Sequence, residues 1–293
     1  MLERMQHPKP RRRTASGDEI KVVIYGCRGS IPVSGPGYEK YGGSTSCLLV
    51  TSDNAVNIGI IDAGTGIRTL GRHIMQDEAL REKPIVIAFT HFHWDHIQGL
   101  PFFEPAYVKG RKISMLALGR DRPIDDLQRV FSVPMQQEYF PVQLCDMGAN
   151  FEFLMPDEDI RFFPRAVVTA HKHPHPGSAY GYRISGGGKS IVICTDVEHG
   201  TDLDPDVIDF CRGADLLLHD AQYTPEELST HRGWGHSSYR QAIDCAKLAG
   251  VKKLVLTHHD PDHDDAVLAE IERHSQQLFP NCVLARDNMT LVV

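Results

Sequence analysis

The chain has 293 residues, of which 41% are hydrophobic and 24% charged, and its formal net charge is -7. That length can bury the core of one large α/β domain or two small ones, and no apolar run approaches membrane-spanning length. A net acidic chain carries no global basic field, which argues against long nucleic acid as a partner. Seven cysteines are scattered along the chain without any CxxC pair. They read as reduced thiols of a cytoplasmic protein, and they exclude a cysteine-based zinc site. Residues 1–18 are polar, include Lys9-Pro10-Arg11-Arg12-Arg13 and lack the apolar core of a secretory signal. They read as a disordered basic tail, with a nucleic-acid-binding arm as the alternative. No boundary or low-complexity segment follows, so residues 19–293 are expected to form a single domain.

Strand character begins at Lys21-Val22-Val23-Ile24-Tyr25 and stops at Gly26. The Gly- and Pro-rich stretch from Cys27 to Gly37, which contains Arg28, reads as a surface loop of the kind that lines sites. Strand signals return at Ser46-Cys47-Leu48-Leu49-Val50 and at Asn57-Ile58-Gly59-Ile60-Ile61-Asp62. A helix is expected through Ile67, Leu70, Ile74 and Met75, which recur at helical spacing. Asp62 ends an apolar strand. It reads either as a turn or capping residue or as a carboxylate that orients a metal-bound histidine.

The next apolar run, Pro84-Ile85-Val86-Ile87-Ala88-Phe89, delivers Thr90-His91-Phe92-His93-Trp94-Asp95-His96. Three imidazoles and one carboxylate at a strand exit would be costly to bury unpaired, and together they suit zinc and other first-row metals. His91 and His93 are two apart, so in an extended segment they face the same way. Asp95 and His96 follow where the chain turns and can serve a neighbouring ion.

A short helix is expected around Leu127, Val130 and Phe131. Strands at Phe151-Glu152-Phe153 and Arg165-Ala166-Val167-Val168-Thr169 lead to His171-Lys172-His173-Pro174-His175-Pro176-Gly177, where the prolines forbid a regular helix. Tyr180-Gly181-Tyr182-Arg183-Ile184 and Ser190-Ile191-Val192-Ile193-Cys194-Thr195-Asp196 flank a glycine turn as a hairpin. Apolar strands ending in His or Asp recur at Leu216-Leu217-Leu218-His219-Asp220 and Leu254-Val255-Leu256-Thr257-His258-His259-Asp260. Such carboxyl ends are where open α/β sheets place ligands. Helices capped by Ser237-Ser238 and by Asp264 close the fold. The segments 87–96 and 254–263 are faintly alike, which hints at a duplicated half.

The pattern Thr90-His-x-His-x-Asp-His96, with His175, Asp196 and His258 downstream, resembles the metallo-β-lactamase superfamily. The resemblance implies an αββα sandwich: two mixed β-sheets packed together, helices outside, and a binuclear metal centre at the sheet edge. It places His91, His93 and His175 on one divalent ion, Asp95, His96 and His258 on a second, and Asp196 between them. Zinc suits these donors, and so do manganese and iron. His175 is preferred to His171 and His173 because His175-Pro176-Gly177 followed by Gly181-Tyr182-Arg183 resembles a block of the phosphodiesterase-type members.

Two further blocks, Leu218-His219-Asp220-Ala221-Gln222 and Gly235-His236-Ser237-Ser238, resemble those of ribonuclease Z and its relatives. They make His236 a candidate to protonate the leaving oxygen or hold the phosphate, with Asp220 orienting it. A ribonuclease Z usually carries a long arm between the third histidine and the bridging aspartate. Here only a hairpin separates His175 from Asp196. The expectation is therefore a cytoplasmic phosphodiesterase for a small substrate, a cyclic nucleotide or cyclic phosphate, with Arg28, Lys40 and Arg183 as candidate phosphate contacts. Ribonuclease Z-like RNA 3′-processing is the alternative, and a lactonase or thioesterase on the same centre is another. The resemblance also makes a homodimer an expectation.

Overall fold

The architecture was analysed in a computed structural model, which describes residues 19–52, 55–117, 124–155, 160–163 and 166–293. The basic tail expected at residues 1–18 lies outside them. The strands are β1 (Ile20–Gly26), β2 (Cys47–Ser52), β3 (Ile58–Ile61), β4 (Ile85–Ala88), β5 (Lys112–Leu116), β6 (Asn150–Leu154) and β7 (Ile160–Phe163). They continue with β8 (Ala166–His173), β9 (Ala179–Gly186), β10 (Lys189–Cys194), β11 (Leu216–Asp220), β12 (Leu254–Thr257), β13 (Cys282–Leu284) and β14 (Met289–Val292).

They form two seven-stranded sheets in the orders β14-β1-β2-β3-β4-β5-β6 and β13-β12-β11-β10-β9-β8-β7. Read from β14 and from β7, both sheets show the same pairing sequence. Antiparallel neighbours run as far as β3 and β10, and parallel neighbours follow. Duplicated halves are visible in this order, although the correspondence differs from the one the sequence suggests. Asp62 and Asp196 follow β3 and β10, each the fourth strand of its sheet. The segments 87–96 and 254–263 leave strands at different positions.

Both faces of each sheet are covered, so the strands read as nearly continuous apolar runs rather than as alternating ones. Val22 and Ile24 of β1 join Ile184, Ile191, Ile193 and Leu218 in the core between the sheets. Val23 and Tyr25 point the other way and pack under α1 (Ile67–Gln76), with its Ile67, Leu70 and Ile74. On the far side, Val192, Leu217 and Leu256 meet α4 (Pro205–Cys211), α6 (Tyr239–Leu248) and α7 (Asp265–Leu278). This is the expected αββα sandwich. α2 (Trp94–Ile97), α3 (Ile124–Ser132) and α5 (Pro225–Leu228) are the remaining α-helices among the described residues. Ser238 caps α6 in a capping box with Gln241, and Asp264 caps α7 by accepting from the Ala266 and Val267 N–H groups. No helix of the described residues is long and apolar enough to cross a membrane.

Candidate metal centre

Three residues that leave strands hold the left-handed backbone region that side chains other than glycine seldom adopt: Asp62 (φ 63°), Asp196 (φ 59°) and His258 (φ 62°). Such strain persists where the surrounding structure over-determines it, and it clusters at functional sites. Here it turns the chain sharply at the sheet edge, so that donors leaving β4, β8, β10 and β12 converge.

His91, His93 and His175 form one group, with His175 Nε2 3.1 Å from His93 Nδ1. His173 instead stays in β8, buried beside His171, and does not reach the group. Asp95, His96 and His258 form a second group. His258 Nε2 lies 3.1 Å and His96 Nε2 3.2 Å from Asp95 Oδ2. The Asp196 carboxylate sits between the groups. Its Oδ1 is 3.6 Å from His91 Nε2, 4.0 Å from His175 Nε2 and 3.4 Å from His258 Nε2, and its Oδ2 is 3.2 Å from His96 Nε2.

The outward nitrogens of the rings are held by acceptors. His96 Nδ1 lies 2.8 Å from Asp62 Oδ2, His175 Nδ1 2.8 Å from the Gly235 carbonyl, and His258 Nδ1 3.1 Å from Gln222 Oε1. In the tautomer these acceptors select, Nδ1 carries the proton and the Nε2 lone pair points inward. Asp62 is itself fixed by Thr90, whose N–H and Oγ1 each donate to it at 2.8 Å.

The buried carboxylates and imidazoles act strongly on one another. Burial opposes ionisation of Asp95, but the His96 and His258 rings outweigh it and hold the carboxyl well below its usual range. Asp196 is likewise held low against burial by His258, His96 and His91. The reciprocal effect raises His96, and it holds His258 up at about 9, with Asp196 prevailing over desolvation. Burial pushes His91 well down. His91 Nε2 and Asp196 Oδ2 are buried polar atoms with no hydrogen bond, each normally costing about 1–3 kcal/mol. His96 Nε2 approaches Asp196 Oδ2 without the geometry of one. Divalent ions fit this donor set of imidazole nitrogens and carboxylate oxygens, and would satisfy both orphaned atoms. Asp62→Asn keeps the backbone conformation but removes the charge behind His96. It is expected to weaken divalent-metal binding by about 10–100-fold in a chelator-competition titration, and unchanged affinity would rule out this role for Asp62.

Asp220 ends β11 beside the centre and accepts from the N–H groups of Asp196 (3.1 Å), Gln222 (3.2 Å) and Ser237 (2.9 Å). Its Oδ2 is also 2.8 Å from His236 Nδ1. That contact selects Nδ1–H on His236 and leaves its Nε2 without a hydrogen bond among the described residues. Ser30, Phe92, His93, Trp94, Asp95, Asp196, His236 and His258 line a cavity of about 460 Å³ over the centre.

A family model described as the beta-lactamase superfamily domain matches residues 59–259. The match runs from the strand before Asp62 to just past His258 and covers more than half of the chain. The chain belongs to the beta-lactamase superfamily. A ribonuclease Z of Ligilactobacillus salivarius is 25% identical, over 83% of this chain and 89% of its own. Among solved structures, the metallo-β-lactamase fold protein YhfI of Bacillus subtilis is similar with a TM-score of 0.71, at 20% identity over 94% of this chain and all of that one. A diphosphatase of the PhnP family is similar with a TM-score of 0.63, at 19% identity over 94% of this chain and 97% of that one. The chain is thus a hydrolase of the metallo-β-lactamase fold.

Two expected contacts of this superfamily member need correction. Arg28 is fully buried. Its Nε donates to the Gly42 carbonyl at 2.8 Å, and its Nη1 to the carbonyls of Asp260 (3.0 Å) and His263 (2.6 Å), so it ties loops together and presents no charge to a substrate. Arg183 Nη1 donates to the carbonyls of Phe210 (2.9 Å) and Arg212 (3.1 Å), which end α4, and its Nη2 to Ser190 Oγ (3.0 Å). Neither lines the cavity over the centre. Lys40 lies over the Tyr41 ring, 4.7 Å from its centroid. His259 and His263 are buried, on the Ala285 carbonyl and on Glu227.

Sequence reasoning did not single out Gln222, Glu198 and Gly235. Glu198 accepts from the Gly233 and Gly235 N–H groups at 2.7 Å each, which fixes the loop whose Gly235 carbonyl holds His175. Gly235 has φ 96°, and a Cβ there would lie 2.2 Å from His175 Nδ1. Gln222 and Gly235 do stand in the two blocks that carry the resemblance, beside Asp220 and His236.

Proposed function

We propose that the chain is a binuclear metal-dependent phosphodiesterase of small phosphodiesters, with a cyclic nucleotide or cyclic phosphate as the expected class. His91, His93 and His175 would hold one divalent ion, Asp95, His96 and His258 the second, and Asp196 both. Divalent ions in such a site acidify a water molecule towards neutral pH and offset negative charge on a phosphoryl oxygen.

The observation that carries the reading is the Asp220–His236 pair at the rim of the centre. Expulsion of an alkoxide from a phosphodiester requires a proton, and an imidazolium whose Nδ1–H is donated to the Asp220 carboxylate can give up its Nε2 proton to the departing oxygen and return to the neutral Nδ1–H form. Asp220 holds the ring, and His236 lines the cavity over the centre together with His93, Asp95, Asp196 and His258. Thioester hydrolysis, which expels a thiolate, makes less use of such a donor.

Between His175 and Asp196 the described chain forms only the β9–β10 hairpin. A tRNA-gripping arm has no counterpart there, which supports a small substrate. The second reading, RNA 3′-processing, is favoured by the ribonuclease Z relative over most of both chains. Nucleic acid therefore belongs in the test, even though the net charge speaks against it.

Metal-loaded protein would be assayed on a bis-aryl phosphate, 3′,5′- and 2′,3′-cyclic nucleotides, cyclic dinucleotides, precursor tRNA, a thioester and a lactone. Turnover of the small phosphodiesters is expected. Preferential cleavage of precursor tRNA moves the assignment to the second reading, and no phosphodiester turnover with zinc, manganese or iron overturns the proposal.

A further inference from the structure

Trp94, between His93 and Asp95, is 63% exposed and lines two cavities at once. One is the cavity over the metal centre. The other is a cleft of about 510 Å³ whose walls include Phe102, Val130, Phe131, Val133 and Phe140. No Lys, Arg, His, Asp or Glu is among its described lining residues. A cleft of this size can hold a small-molecule group, and with Gln98 and Tyr139 as the polar members beside the Trp94 indole its lining favours a hydrocarbon over a charged group. A cavity on the other flank of the centre, sharing His175, is lined by Glu198 and Asp204, whose charge disfavours a polyanionic strand. From the centre, an uncharged hydrocarbon group thus finds a wall of matching chemistry across Trp94.

We propose that this cleft binds the ester group of the substrate that is retained during hydrolysis, so that the preferred phosphodiester carries an apolar arm, alkyl or aryl. The proposal rests on the reading of the centre as a phosphodiesterase, and among small phosphodiesters it favours, over a cyclic nucleotide, an acyclic diester with a hydrocarbon-rich side. The reacting phosphorus stays at the centre beside His236, and the arm lies over Trp94 towards α3.

The test holds the chemistry constant and varies the arm. Metal-loaded protein is given para-nitrophenyl methyl, butyl, hexyl and phenyl phosphates, which share one leaving group. Each methylene buried in the cleft is expected to raise kcat/KM by up to about fourfold, so the hexyl ester, five methylenes longer, should exceed the methyl ester by up to about 1,000-fold. Phe102 is 56% and Val133 40% exposed, so Phe102→Asp and Val133→Asp are expected to fold. Both should flatten the series, bringing the hexyl-to-methyl ratio of kcat/KM down towards one. Turnover of every ester with no dependence on the arm overturns the cleft but not the phosphodiesterase. Turnover of none overturns both. A slope that neither variant alters puts the arm elsewhere and overturns the proposal. So does a flat series in a protein that sediments as a dimer and is dissociated by Phe102→Asp, because the cleft then belongs to a second copy.

Discussion

Asp196→Asn is expected to lower phosphodiester hydrolysis by at least about 10³-fold and to reduce the divalent metal bound per chain. Asparagine has nearly the same shape and tolerates the left-handed backbone at this position (φ 59°), so the exchange removes charge and little else. The charge is the central one. The carboxylate is buried between both groups of imidazoles, within 3.2–4.0 Å of His91, His96, His175 and His258. Shared between two cations at a buried position, it would contribute several kcal/mol, and about 4 kcal/mol corresponds to three decades in rate. Elemental mass spectrometry and kcat/KM on a bis-aryl phosphate would be measured on the same preparation, with circular dichroism as the check on folding. A variant that keeps two metals per chain and full activity would show that Asp196 is not shared between ions.

His236→Ala should separate chemistry from metal binding. Loss of a general acid typically costs about 10²–10⁴ in rate, while the metal content should not change. The size of the loss should depend on the leaving group. Para-nitrophenolate departs without a proton, so its diesters should suffer least, whereas a cyclic nucleotide, which expels an alkoxide, should lose the full factor. Asp220→Asn acts through His236 by weakening the 2.8 Å contact that holds the ring, and it should show the same leaving-group pattern in milder form. Equal losses for aryl and alkyl leaving groups would assign His236 to holding the phosphate rather than to proton transfer. Loss of metal in His236→Ala would place the residue among the ligands.

Much of the site was legible because its chemistry is concentrated at strand exits. His91, His93, Asp95 and His96 crowd one such exit, and Asp196, Asp220 and His258 each end an apolar run, a pattern visible without any tertiary information. The fold was legible for a related reason. Runs such as Leu216–Leu218 and Leu254–Leu256, with both faces apolar, announce strands covered on both sides. What escaped detection acts through backbone groups or single contacts. Gly235 contributes a carbonyl, Glu198 braces the loop that carries it, and Gln222 offers one oxygen to His258. Nothing in local spacing marks such roles.

By itself, then, the sequence determined the donor types, the strand exits that carry them and the sandwich that covers the strands, because hydrophobic period and residue chemistry are local properties. Only the tertiary structure decided which donors meet. His175 reaches His93 and His173 does not, since Pro174 ends the strand that keeps His173 in the core. The structure also decided the fate of the arginines. Whether a guanidinium faces a substrate or is spent on backbone carbonyls depends on segments far away in sequence, Asp260 and His263 for Arg28, Phe210 and Arg212 for Arg183. The apolar cleft beside Trp94 is of the same kind. Its walls come from two stretches some thirty residues apart, roughly 94–102 and 130–140, and their packing made a cavity that neither stretch describes alone.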